Sequence, residues 1–127
     1  MMFKRIDHIE IIPVDLEKSL DFYLNVLGFK LKSREKMDLG PLQEIVYVTL
    51  GDTMIEFLKI KDPGPAPAGP FQKGYRAIAI EVEDMDKTVE HLKGQGVEMP
   101  RPPMVIGRSK RGEIKDPSGY PIELRQW

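Results

Sequence analysis

An α+β fold made from two copies of one βαβββ unit is what this 127-residue sequence predicts, and three observations carry it. Short β-rich runs alternate with two segments of helical period. A proline-rich stretch divides the chain near its middle. The order of elements before that stretch then repeats after it.

Ile6 to Ile12 reads as an isoleucine-rich strand, broken by Pro13-Val14-Asp15, with Asp15 as helix N-cap. Leu16, Leu20, Tyr23, Leu24 and Leu27 then fall on one helical face, and Gly28 is the natural stop. Phe29 to Glu35 is the second strand. Glu44 to Leu50 and Thr53 to Ile60 form a hairpin around Gly51-Asp52. The segment Asp62-Pro63-Gly64-Pro65-Ala66-Pro67-Ala68-Gly69-Pro70 can continue neither a ladder nor a helix, so it is a linker. Beyond it, Arg76 to Val82 is a strand and Asp84 an N-cap. Met85, Val89 and Leu92 mark a shorter helix ended by Gly94 and Gly96. Val97 to Ile106 holds a strand interrupted by Pro100, Pro102 and Pro103. Arg111 to Lys115 is the next, Asp116-Pro117-Ser118-Gly119 a turn, and Pro121 to Gln126 the last strand.

The halves match residue against residue. His8-Ile9-Glu10-Ile11 corresponds to Ala77-Ile78-Ala79-Ile80, and Asp15-Leu16-Glu17-Lys18-Ser19 to Asp84-Met85-Asp86-Lys87-Thr88. Gly28-Phe29 corresponds to Gly96-Val97, and Ile55-Glu56-Phe57 to Ile122-Glu123-Leu124. Each unit has a sheet with one helix on one face and the other face bare, so two units should pair. The organisation expected is one domain over 1–127: a module at 4–60, a linker at 61–73 and a module at 74–127.

Composition narrows the function classes. With 19 basic and 20 acidic residues the chain lacks the basic excess of a nucleic-acid binder. No cysteine is present, which excludes disulfides and thiolate chemistry and fits a reducing cytoplasm. The N-terminus, from Met1 to His8, has no apolar run typical of a signal peptide, and no run approaches a membrane span.

Strand parity places the chemistry. Ile9 and Ile11 suit the helix-packed side, which puts His8 and Glu10 on the opposite face. The same parity turns Glu56 and Glu123 away from their apolar neighbours. A lone carboxylate in such a strand is ordinarily a solvent-facing residue. Here the two occupy equivalent repeat positions and would converge if the units are related by a pseudo-twofold, with His8 beside them. A histidine and two carboxylates can hold a divalent ion while leaving positions for water or substrate. Other candidates are weaker: a basic group at Arg108, Lys110, Arg111 and Lys115 for an anionic substrate group; Tyr47 and Tyr75 as cavity lining; Trp127 at a subunit interface; and His91 as a surface residue.

The sequence resembles the vicinal oxygen chelate superfamily, which includes glyoxalase I, methylmalonyl-CoA epimerase, extradiol dioxygenases and bleomycin-resistance proteins. The likeness rests on Ile6-Asp7-His8-Ile9, on Asp15 to Tyr23 with Val26-Leu27-Gly28-Phe29, and on Ile55-Glu56-Phe57-Leu58. In the second half it rests on Ala79 to Asp86 and on Asp116 to Leu124. It implies paired modules forming a cup-shaped, partly open β-barrel with a divalent metal (nickel, zinc, manganese, cobalt or iron) at its floor. Carried over by position, the ligands are His8, Glu56 and Glu123, with Glu123 or Glu56 also moving the proton. The fourth position falls on Ala77, which cannot ligate. A water fills it, or Glu10 reaches the ion instead, or the metal is lost and the cavity only binds.

Two functions follow. One is a metal-dependent lyase or isomerase acting through an enolate-like intermediate on a substrate with neighbouring oxygens. The other is a metal-free small-molecule binding protein of the bleomycin-resistance type. Either partners a small molecule, not nucleic acid or membrane, and a cytoplasmic homodimer is expected, with pairing within a chain or by exchange.

Overall fold

A computed structural model describes residues 2–69 and 71–127. Met1 of the N-terminal stretch and Pro70 of the expected linker lie outside the described residues. The chain divides into two compact units, Met1–Pro65 and Ala66–Trp127.

The first unit runs β1 (Ile9–Ile11), α1 (Leu16–Asp21), a π-helical turn (Phe22–Val26), β2 (Lys30–Leu39), β3 (Leu42–Leu50) and β4 (Thr53–Ile60). Its sheet order is β1-β4-β3-β2, with β1 parallel to β4 and the other pairs antiparallel. The second unit repeats the plan as β5 (Ile78–Glu81), α2 (Met85–Gly94), β6 (Arg101–Ile106), β7 (Ser109–Lys115) and β8 (Pro121–Gln126), in the order β5-β8-β7-β6. The registers coincide: Ile9 pairs with Ile55 as Ile78 pairs with Ile122, and Glu10 with Glu56 as Ala79 with Glu123. The predicted βαβββ repeat is the observed one.

Both helices start as the sequence indicates. Asp15 accepts from the Lys18 amide and Asp84 from the Lys87 amide, each at 3.0 Å, which satisfies a free N–H of the first turn. The first helix departs from expectation after Asp21. The Leu27 amide bonds the Phe22 carbonyl five residues back, so the turn is widened. Phe22, at the start of this turn, lies in the core at 8 % exposure, while Leu24 and Leu27 after it are only half-buried. Gly28 then stops the helix at φ +85, where a Cβ would be strained.

Each core lies between a helix and one sheet face. In the first unit Val46, Val48, Ile55 and Phe57 are buried, and the Tyr23 ring meets Phe57 edge-on at 5.0 Å. In the second, Met85 and Leu92 of α2 are buried, as are Ile114, Ile122 and Leu124 of the sheet. Glu44 continues the buried parity of Val46 and Val48. Arg34 bonds both it and Glu17 of α1, pairing the buried carboxylate and tying helix to sheet.

Strand ends differ from the sequence reading. β1 spans three residues where seven are expected, and Ile9 remains 43 % exposed on this outer strand. β2, β3 and β7 are longer than expected. Pro102 and Pro103 lie inside β6, which is tolerated because β6 is an outer strand with its register shifted between Arg101 and Met104. No helix among the described residues is long and apolar enough to cross a membrane.

Candidate functional site

The face of the first sheet opposite α1 gathers the polar side chains that strand parity predicts. Because Glu10 and Glu56 are register partners on neighbouring strands, their side chains emerge side by side. His8, just before β1, joins them. Its Nε2 lies 3.5 Å from a Glu10 oxygen and 3.9 Å from a Glu56 oxygen. One ligand atom from each of His8, Glu10 and Glu56 falls within 4.8 Å of the others. The Glu56 side chain is 9 % exposed and that of Glu10 57 %, so the group opens outward on the Glu10 side.

Two further residues shape this group. Asp7 Oδ2 lies 2.8 Å from His8 Nδ1, which fixes the ring and leaves Nε2 toward the carboxylates. That hydrogen bond raises the His8 pKa from its ordinary 6.5; burial opposes it, and the charges of Glu56, Asp7 and Glu10 add to it. The same bond lowers the Asp7 carboxyl. Tyr47, the β3 register partner of Glu56, sets its ring edge-on to His8 at 5.9 Å. The hydrogen bond to Glu56, followed by desolvation, pushes the Tyr47 hydroxyl up to about 12, so it remains a neutral donor to that carboxylate.

The Tyr47 contact was open to sequence reasoning. A two-residue turn at Gly51-Asp52 pairs Leu50 with Thr53, and counting back along the hairpin sets Tyr47 opposite Glu56. Asp7 offered only its adjacency to His8.

Glu123 belongs to the second unit. Its register partners are Ala79 and Glu113, and Arg125 Nη2 donates to it at 3.0 Å. Ala77 precedes β5 and is exposed. The expected basic group does not form one patch. Arg108 sits exposed in the β6–β7 turn, while Lys110 and Arg111 are consecutive in β7 and point to opposite faces. Tyr75 is fully exposed and His91 is exposed on α2. Trp127 is 73 % exposed, with the Arg125 guanidinium 4.6 Å above its ring.

Fold and residues together define a class. The model of the Glyoxalase/Bleomycin resistance protein/Dioxygenase superfamily matches residues 5–124, and the chain belongs to that superfamily. A lactoylglutathione lyase of Neisseria meningitidis serogroup A is 37% identical over 118 residues, spanning 88% of this chain and 83% of the relative. The mitochondrial methylmalonyl-CoA epimerase of Homo sapiens is 32% identical over 134 residues, spanning 96% and 73%. The crystal structure of a glyoxalase family protein from Enterococcus faecalis superposes with a TM-score of 0.84 at 27% identity, covering 98% of this chain and 99% of that one.

Proposed function

We propose that the protein is a metal-dependent lyase or isomerase of glyoxalase type, acting on a small substrate with neighbouring oxygens. The observation that carries this reading is the convergence of His8 Nε2, Glu10 and Glu56, with Asp7 orienting the histidine. One nitrogen and two carboxylates suit a divalent ion, and without a cation two carboxylates this close repel. The donor set therefore fits the group, with His8 and Glu56 as ligands and Glu123 as the further ligand that the resemblance implies. Glu10 supplies the side chain that Ala77 lacks.

A bound ion would supply Lewis-acid polarisation of the substrate oxygens. Glu123 or Glu56 would take the proton beside the polarised carbonyl and return it to the neighbouring atom. Tyr47 would hold Glu56 in place through its hydroxyl, and Asp7 would keep Nδ1 of His8 occupied. The similarity to a lactoylglutathione lyase and to a methylmalonyl-CoA epimerase supports this reaction class. The reading has modules 4–60 and 74–127 serve one domain, and the protein work as a cytoplasmic homodimer, for which the lack of cysteine is suited.

Turnover of lactoylglutathione and epimerisation of methylmalonyl-CoA are the first assays, on wild type, chelator-treated protein and Glu123→Gln. Activity that is lost on chelation, restored by one added metal and absent in Glu123→Gln supports the proposal. Full activity in Glu123→Gln would remove its assigned role. Ala77 favours a second reading, a metal-free binding protein of the bleomycin-resistance type, since a binder tolerates a missing ligand. A stoichiometric ion that survives dialysis would count against that reading.

A further inference from the structure

On the face of the second sheet opposite α2, cations outnumber anions. Arg111 and Arg125 are register partners on β7 and β8, and Glu113 and Glu123 are the next pair on the same face. Arg101 is the β6 partner of Glu113, with its Nε 4.0 Å from that carboxylate, and Arg76 donates to Glu113 at 2.8 Å. Arg125 donates to Glu123. Glu81, the β5 register partner of Arg125, is a third carboxylate on this face. Four guanidiniums thus face three carboxylates, and Arg111 and Arg125 lie directly opposite each other. Like charges so placed destabilise a strand pair.

Hydrogen bonding shows the same imbalance. Each guanidinium carries five N–H groups. Arg76 Nη1, Arg111 Nε and Arg125 Nε are buried without an acceptor among the described residues. A buried donor left unpaired is costly, and here three fall in one cluster. The Arg125 side chain is only 16 % exposed, so the solvent does not simply replace the missing partner. The cluster lacks acceptors and negative charge together, and a planar or tetrahedral oxyanion supplies both.

We propose that this face is an anion-binding subsite, in which Arg111 and Arg125, with Arg76 beside them, hold a carboxylate or phosphate group of the ligand. The inference deepens the proposed function by giving its substrate an anionic group, and as a binding site it is testable without turnover.

The test uses metal-free full-length protein with 15N-labelled arginine, following the Nε–H signals during titration with inorganic phosphate and, separately, with malonate. Saturable shifts of the Arg111 and Arg125 signals, with Arg108 unmoved, are the expected result. Arg111→Gln should weaken binding by about tenfold or more, the loss of one charge-assisted contact, while Arg111→Lys should retain part of it. The backbone amide spectrum verifies that each variant is folded. Saturation by phosphate alone assigns a phosphate ester, and by malonate alone a carboxylate; either supports the subsite. No saturable shift with either ion, or equal shifts at Arg108, overturns it. Metal content of the same samples separates the two proposals. An ion bound without anion binding removes only the subsite, and anion binding in a protein that takes up no metal removes only the metal-dependent reading.

Discussion

Beside Glu56 in the first module, the next β3–β4 register pair on the same face is Ile45 and Leu58. At the corresponding place in the second module stand Arg111 and Arg125. Opposite Glu56 lies Tyr47; opposite Glu123 lies Glu113. Where the first module has His8 and Glu10, the second has Ala77 and Ala79. Backbone, caps and core parity are common to both modules, so the fold leaves the identity of these outward positions free. One module gathers a histidine and carboxylates on this face, and the other gathers guanidiniums. Duplication supplies the scaffold twice, and the residues that do not pack are where the copies diverged.

The comparison can be sharpened by measurement. The largest expected effect is in the cores. Phe57→Ala should cost about 3–5 kcal/mol, since it removes the ring that Tyr23 packs against at 5.0 Å. Its counterpart Leu124→Ala should cost about 2–5 kcal/mol and leave the aromatic group of the first module intact. Denaturant unfolding measures both, and a Phe57→Ala protein as stable as wild type would break the account of that core.

The helix caps test whether the modules are locally alike. Asp15→Ala and Asp84→Ala each remove one side-chain bond to an amide three residues on, and each should cost about 1 kcal/mol. A loss confined to one of them would show that the copies differ below the level of the face.

The smallest effect is electrostatic and belongs to the first module alone. His8 has its pKa raised above 6.5 in the folded protein, first by Asp7. A raised histidine contributes stability that is fully present below pH 6.5, its unfolded value. That contribution is lost as pH rises through the higher folded value. NMR titration of metal-free protein should therefore give His8 a midpoint above that of a free imidazole. Asp7→Asn should lower it. An unchanged midpoint in the variant would dismiss Asp7 as the principal cause.

Much of this was legible in the sequence, for identifiable reasons. Two aspartate caps, alternating isoleucines and a repeat that returns in register specify βαβββ twice, because each signal is local. Parity set His8, Glu10 and Glu56 on one face; the register of β1 with β4 pairs the two glutamates, and His8, just before β1, lies 3.5 Å and 3.9 Å from them. The π-helical turn escaped, since an i+5 hydrogen bond alters which residues after Phe22 share a face without altering the apolar content. The basic group at 108–115 was misread as one patch because proximity in sequence was counted without strand alternation. Arg76 and Arg125 escaped because their grouping depends on pairing between strands distant in the chain.

Metal dependence requires that the histidine and carboxylates of the first module hold an ion. Metal content per chain after gentle purification tests this most directly, on wild type and on Glu56→Ala. About one divalent ion per chain in wild type, lost in Glu56→Ala, is the predicted result. No ion in either protein, even after soaking with nickel, manganese and zinc, would contradict the metal-dependent reading.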